Sequence, residues 1–305
     1  MPLPPADSAA EREGRMIHRR EQWAAYLFLT PSFAAFLVFV LVPVVIGFGL
    51  SFFQWDLVSA VRFVGLENWN HLLARKDVMI SFFNTIWIVA LSLPLTVVIG
   101  LALALLVHKL PFGKVVFRSA FFAPSVTSLV AMSIIWRNMY ATDTGLLNYL
   151  MGWFGVSPIG WLDNSTSALI SAVVFGVWHS AGYNMLIFLA GLQGIDETYY
   201  EAARVDGAGA FRTLWSITLP LLTPTLFFIV ITTVINGLQT FESVYLLTGG
   251  GPGYATTTLV YSVVNAAFTA FDTGLAASIS VLLFLLVMIA TIIQWKFQNR
   301  WVHYN

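Results

Sequence analysis

No cysteine occurs in this 305-residue chain, which excludes disulfides, thiol catalysis and thiolate-bound zinc. Charge is scarce as well. Only 10% of the residues are Asp, Glu, Lys or Arg, against roughly a quarter in soluble domains. The 15 basic and 15 acidic side chains cancel, so there is no electrostatic footprint for nucleic acid. The histidines (His18, His71, His108, His179, His303) are scattered, without a His-x-x-x-His spacing, and neither a Gly-x-Ser-x-Gly elbow nor an Asp-rich prenyltransferase motif is present. The Gly-rich run "LTGGGPGYATTTL" (Leu247–Leu259) lacks the Gly-Lys-Ser/Thr that a phosphate loop needs. No Lys or Arg lies between Arg212 and Lys296, and Gly113-Lys114 is followed by Val115. The chain therefore does not read as an enzyme or as an ATP-binding protein, and the glycines read as a tight turn. No internal repeat suggests a doubled carrier.

What is present is apolar. Hydrophobic residues make up 58% of the chain and aromatic ones 15%, with a mean hydropathy of +0.79. That is membrane-protein composition. A helix needs roughly 20 apolar residues to cross about 30 Å of hydrocarbon, and a central charge costs roughly 2.5–3.5 kcal/mol. Long charge-free runs accordingly predict spans at 25–52, 82–107, 117–139, 168–192, 221–247 and 274–296. The first is too long for a signal-peptide core and reads as an uncleaved helix. Prolines 31, 43, 94, 124 and 224 fall within spans, as kinks or as unwound stretches near a pathway.

The positive-inside bias sets the orientation. With a cytoplasmic N-terminus, the inner segments hold Arg12, Arg15, Arg19, Arg20, Lys109, Lys114, Arg118, Arg204, Arg212, Lys296 and Arg300. The outer ones hold only Arg62, Arg75, Lys76 and Arg137. Both termini are thus expected inside, with segment 1–24 and tail 297–305 cytoplasmic and the permeation domain at 25–296. Trp23, Tyr26, Trp136, Tyr140, Trp153, Trp161 and Trp295 fall near the expected interfaces, where aromatic belts form.

The cytoplasmic loop 193–220 is polar and Gly-broken. Asp196 is expected to cap a helix over 195–205, with Glu197 in its first turn. Gly207 and Gly209 break it, and a second short helix is expected to stop before Pro220. Ala202 and Ala203 are small enough to let another surface approach the backbone, Gly207 permits a turn, and Glu201 and Asp206 offer carboxylates to a partner's arginine. The alternative is a solvated amphipathic linker.

"EAARVDGAGAFRTLWSITLP" (Glu201–Pro220) resembles the cytoplasmic signature of permease subunits of binding-protein-dependent ABC importers: Glu-Ala-Ala, three residues, Gly, nine residues, Ile-x-Leu-Pro. Glu201, Ala202, Ala203, Gly207, Ile217, Leu219 and Pro220 occupy its defined positions. "FVGLENW", "PSVTSLVAMSIIW", "GLLN", "GYNMLIFLAGLQGI", "LTGGGP" and "RWVHY" resemble the carbohydrate branch, which includes maltose and glycerol-3-phosphate permeases. The resemblance implies an all-α polytopic protein with six transmembrane helices, the type I ABC importer permease fold, in the inner membrane of a prokaryote. It implies a second, non-identical permease, two copies of an ABC ATPase subunit that bind ATP and magnesium, and an extracytoplasmic solute-binding protein. It also implies that the Glu201 helix docks in a groove of the ATPase, that Glu201 meets an arginine there, and that ATP-driven closure swings the spans by alternating access. The extra N-terminal spans and large external domain of the maltose permease have no counterpart here, so a small external docking surface is expected.

Two polar stripes suggest where a solute would pass. The fourth span carries Gly176, His179, Ser180, Tyr183 and Asn184 on one side. The fifth carries Thr232, Thr233, Asn236, Gln239, Thr240 and Ser243 within about 120° of arc. Such residues also serve as hydrogen-bonding glue between helices. In the resembling family, sugar contacts come from these two spans, so Ser180, Tyr183, Asn184, Thr233, Asn236, Gln239 and Thr240 become the expected pathway. Tyr183 or Trp178 would supply a sugar-stacking face. His179 is expected to be a hydrogen-bonded core residue, and Glu242 to be structural. A sugar or oligosaccharide is the expected cargo, glycerol phosphate or another small solute the alternative. An ion-coupled carrier would need a carboxylate well inside a span, and none is found.

Overall fold

The computed structural model describes Gln22 and residues 25–301, with side chains described through residue 298. The arginines of segment 1–24, Trp23 and residues 302–305 of the tail lie outside the described residues. Two helices open and close the bundle, α1 (Ala25–Leu50) and, at the far end of the chain, Thr273–Trp301. Between them run α2 (Glu67–Ala74), α3 (Lys76–Lys109), α4 (Lys114–Val126), α5 (Leu129–Met139), α6 (Leu146–Gly152) and α7 (Ser165–Gln193). Next come α8 (Glu197–Val205), α9 (Ala210–Leu221), α10 (Thr223–Leu238), α11 (Glu242–Leu247) and α12 (Leu259–Thr269), and the closing helix is α13. One short antiparallel ribbon pairs Phe53–Gln54 with Arg62–Phe63.

Among the described residues, four helices, α1, α3, α7 and α13, are long and apolar enough to cross a bilayer alone. Two bent pairs, α4 with α5 and α9 with α10, bring the number to six when each pair is one span. The third span is therefore a bent pair, and its bend does not fall at the proline from which the sequence predicts a kink or an unwound stretch. It folds by 94° between Val126 and Leu129, where Thr127 is extended and Ser128 caps α5 through the amide of Ala131. Pro124 sits inside α4 and does not end it. The fifth span is also interrupted. α10 ends at Leu238, and Gln239 to Phe241 separate it from α11. Nor does α9 stop before Pro220. It passes through a π turn at Leu214–Thr218, includes Pro220, and bends by 67° into α10. Pro220 follows just after the π turn, near the end of α9.

The centre of the bundle is α3 against α7, closed by α10. Gly100 of α3 lets the two helices approach, since a Cβ there would stand 3.1 Å from that of Asn184. Ala104, Val107, Met185, Phe188, Leu189, Leu192, Leu222 and Ile229 form the buried core. α4 packs on α7 at Gly182, where any Cβ would collide with the carbonyl oxygen of Phe121. Ser125 Oγ donates to the carbonyl of His179 at 2.7 Å across the same contact. α1 carries no residue buried by the rest of the chain.

The aromatic residues at the end distant from α8 do not all face outward. Trp136, Tyr140, Phe175, Trp178 and Trp161 pack on one another, Trp136 and Trp178 with ring centres 4.9 Å apart. Tyr140 is 2% exposed and donates to the carbonyl of Ser171. This core replaces the lipid-facing belt expected for Trp136, Tyr140 and Trp161. Asn148 organises the loop above it. Its Nδ2 donates to the carbonyls of Thr142 and Ile159, both at 2.9 Å, and its Oδ1 accepts from Ile159 N at 3.1 Å and Trp161 Nε1 at 2.8 Å. An intramolecular hydrogen bond contributes about 0.5–1.5 kcal/mol net. Asn148→Ala is therefore expected to destabilise segment 140–163 by about 2–4 kcal/mol. Hydrogen exchange of that segment should then accelerate by roughly 30- to 900-fold, while α3 and α7 exchange as before.

Candidate functional site

The two polar stripes converge on one cavity of about 360 Å³. From α7 come Gly176, His179, Ser180, Tyr183 and Asn184, from α10 and the turn after it Thr232, Thr233, Asn236 and Thr240, and from α11 Ser243. Gln239 is exposed and lies outside the lining. The helical projection placed it within the stripe by assuming an unbroken helix, and the helix ends one residue before it. α3 adds Ser92 and Thr96, which belong to neither stripe. They are single polar residues in a long apolar helix, and nothing in the sequence marks the side α3 turns to α7.

Hydrogen bonding separates pathway from glue. Ser180 Oγ donates to the carbonyl of Gly176 at 2.9 Å, Thr232 Oγ1 to that of Phe228 at 2.9 Å and Asn184 Nδ2 to that of Ser180 at 3.0 Å. These bonds stay within one helix. They use donors and leave acceptor lone pairs turned to the cavity. Thr233, Asn236 and Tyr183 make no side-chain hydrogen bond among the described residues, and Tyr183 is 48% exposed. Polar groups serving as interhelical glue would be bonded across helices, and these are not. His179 is only in part the expected hydrogen-bonded core residue: it is half-buried and keeps a hydrogen bond to the backbone of Thr127. Its Nε2 is buried without a partner among the described residues, and the residue lines the cavity. Trp178 is packed into the aromatic core instead of the cavity wall, so Tyr183 is the aromatic face that remains. Glu242 begins α11 and is exposed.

At the break, the carbonyl of Thr240 accepts from Thr258 Oγ1 at 2.7 Å. Thr258 belongs to the Gly-rich loop, whose Gly249, Gly250 and Gly253 all have positive φ, as a tight turn requires. The same loop is tied to α3. Ser81 Oγ donates to Thr257 Oγ1 at 2.8 Å, and Leu259 N donates to Thr85 Oγ1 at 3.0 Å.

At the opposite end, α8 stands as a separate short helix. Asp196 Oδ1 accepts from the amide of Thr198 at 2.9 Å, and that bond holds its carboxyl below the usual range. Gly207 ends the helix at φ +71°, and Ala208 N closes back on the carbonyl of Ala203 at 2.9 Å. Glu201, Ala202, Val205 and Asp206 are exposed. Ala203 is 6% exposed, covered by this chain itself, so it does not extend the free surface as its neighbour does. Beneath α8 lies a cleft of about 890 Å³, walled by His108 and Lys109 of α3 and by Tyr200, Arg204, Phe211 and Thr218. Tyr200 and Thr218 share a hydroxyl hydrogen bond at 3.3 Å across it.

A family model described as "Binding-protein-dependent transport system inner membrane component" matches residues 78–303. Among curated proteins, "Probable ABC transporter permease protein YesP" of Bacillus subtilis is 34% identical over 97% of this chain and 96% of its own. "Trehalose/maltose transport system permease protein MalF" of Thermococcus litoralis is 36% identical over 91% of this chain and 94% of its own. The sn-glycerol-3-phosphate permease UgpA of Yersinia pestis is 32% identical over 93% and 96%. A crystal structure of a bacterial ABC transporter involved in the import of alginate superposes with a TM-score of 0.81. It covers 95% of this chain and 99% of its own, at 21% identity, and so supports the fold.

Proposed function

This chain belongs to the family of binding-protein-dependent transport system inner membrane components, and from that premise we propose that its cavity is half of a translocation pathway for a sugar or oligosaccharide. It is a multi-pass membrane permease of an ABC importer and not an enzyme. ATP hydrolysis belongs to a separate ATPase subunit, and the permease works with a second permease and a solute-binding protein. Two ATPase copies, each binding ATP and magnesium, complete the proposed assembly, and the permease itself holds no cofactor. The N- and C-termini are proposed to be cytoplasmic, which puts α8 against the ATPase and the Gly-rich loop outside.

The observation that carries the sugar reading is the lining of the cavity. Thr233, Asn236 and the lone pairs of Ser180 and Thr232 are neutral hydrogen-bonding groups without a partner helix to satisfy them. Tyr183 offers an aromatic face to the C–H surface of a sugar ring. Three relatives carry trehalose or maltose, arabinooligosaccharides and glycerol phosphate by name. The lining contains no Lys or Arg, which favours an uncharged cargo over glycerol phosphate. Asn236→Leu removes two hydrogen-bonding groups from the lining, each good for about 0.5–1.5 kcal/mol. Uptake is expected to fall roughly 5- to 150-fold, with the complex still assembling. Loss of assembly with residual activity per intact complex unchanged would return Asn236 to a structural role.

A further inference from the structure

We infer that α6 and the turn after it lie in the headgroup zone of the bilayer and anchor this end of the permease to lipid. The helix has two sides. Leu147 packs into the aromatic core with Tyr140 and Trp161, and Asn148 holds the loop together from the same side. The other side presents Leu146, Tyr149, Leu150 and Trp153, followed by Phe154. Tyr149 is 64% exposed, Trp153 69% and Phe154 84%. The rings of Tyr149 and Trp153 meet edge to face at 5.5 Å, which stiffens the pair into one platform.

The composition of this face selects its occupant. It contains no charged residue, and no Lys or Arg occurs between Arg137 and Arg204. Nearby, Asp163 is occupied by Thr142 Oγ1 at 2.5 Å. Tyrosine and tryptophan combine an apolar body with a polar tip, and they concentrate where hydrocarbon meets water. The adjoining spans expose apolar side chains of their own, Ile134 and Ile135 of α5 and Ile170 and Val174 of α7, each 44–50% exposed. Those belong to helices that cross the bilayer, and α6 joins their ends. A soluble protein docking here would meet little charge to pair with, a single exposed carboxylate, Asp143, beside Leu146 and Tyr149. The interfacial glycerol and carbonyl zone of a lipid leaflet asks for none. Trp136, Tyr140 and Trp161 are used in the core, so α6 supplies the belt they do not.

The absence of cysteine in the chain makes the test direct. Leu150→Cys and Phe154→Cys leave Tyr149 and Trp153 in place, and Thr144→Cys serves as a water-exposed control. Each is labelled with a nitroxide and assembled into the complete transporter in zwitterionic phospholipid vesicles. Collision with oxygen is then compared with collision with a water-soluble nickel chelate. The expected result is an excess of oxygen over nickel collision at 150 and 154, the reverse at 144, and no change when the solute-binding protein is added. Nickel access at 150 and 154 equal to that at 144 overturns the inference. So does access that disappears only when the solute-binding protein binds, which would make α6 its docking platform. Poor access to both reagents from the start assigns the face to the second permease and overturns it too. The inference rests on the multi-span reading but not on its orientation. Depth reads the same from either side of the membrane, and a membrane-impermeant maleimide on the same cysteines reports the side separately.

Discussion

Glu201→Lys is expected to bring ATP-driven uptake close to zero while the chain still inserts and folds. Glu201 lies on the exposed side of α8 with Ala202 and Val205. Val205 is 87% exposed, an apolar residue with nothing in this chain to cover it. Ala202 is small enough for a second backbone to come close. A carboxylate inside such a contact loses its water on docking and requires a cation. Reversing its sign leaves like charges buried together, and breaking a buried pair costs about 3–5 kcal/mol, or roughly 150- to 5,000-fold in affinity. Glu197 is the internal control. It pairs with Arg204 at 3.7 Å, with both side chains mostly exposed, and such pairs contribute about 0–1 kcal/mol. Glu197→Lys should therefore transport nearly normally. The reading is binding-protein-stimulated ATPase activity in vesicles. It should sit at baseline for Glu201→Lys, and normal stimulation in that variant would contradict the proposed docking role of α8.

Gly182→Val is expected to abolish the folded permease. α4 crosses α7 so closely at this point that an added Cβ would overlap the carbonyl oxygen of Phe121 and stand 2.8 Å from Phe122 Cα. Both obstacles are backbone, so no rotamer change relieves them. Overpacking a core costs about 1–3 kcal/mol where side chains can give way, and here the cost should lie at or above the top of that range. Separation of α4 from α7 would also lose the Ser125 bond to the carbonyl of His179, about 1 kcal/mol more. The bend between α4 and α5 stands beside this contact, so the cavity wall would move with it. Gly47→Ala is the contrast, because nothing lies within 4 Å of a Cβ there. Yield of monodisperse complex and its thermal transition should collapse for Gly182→Val and hold for Gly47→Ala. An unchanged transition in Gly182→Val would mean that α4 is not seated on α7 as described.

Both residues were legible in the sequence in different degrees. Glu201 stands in a fixed pattern of residues, and the physics of a small-residue, Gly-ended helix pointed to the same stretch. The Asp196 cap and the Gly207 turn followed from side-chain chemistry within two or three positions, and the structure has both. The straight spans were equally plain, because α3, α7 and α13 are long runs that hydropathy alone delimits. Gly182 was visible only as a letter, since close approach is a property of two helices. The bends were hidden for a related reason. Val126–Leu129 and Leu238–Glu242 contain no proline, and their polar residues (Thr127 and Ser128; Gln239, Thr240 and Glu242) read as well as a polar helix stripe as a break. What interrupts the helices is tertiary: Ser128 capping α5 and Thr258 holding the carbonyl of Thr240. Gln239 was misplaced because a wheel projection has no term for such a break. His179 and Trp178 were exchanged in effect, the indole entering the core and the imidazole lining the cavity, and one turn of helix gave no way to choose between them.

The central claim is that α8 transmits the work of a separate ATPase to the cavity between α3, α7 and α10. The most direct measurement places the chain's one cysteine at Ala202, by Ala202→Cys, and activates a short thiol-to-amine crosslinker in the assembled importer. The expected product is a single adduct of this chain with the ATPase subunit, whose yield changes when ATP is added with the solute-binding protein. An adduct with the second permease or with lipid, or none under conditions where uptake is intact, would contradict the account.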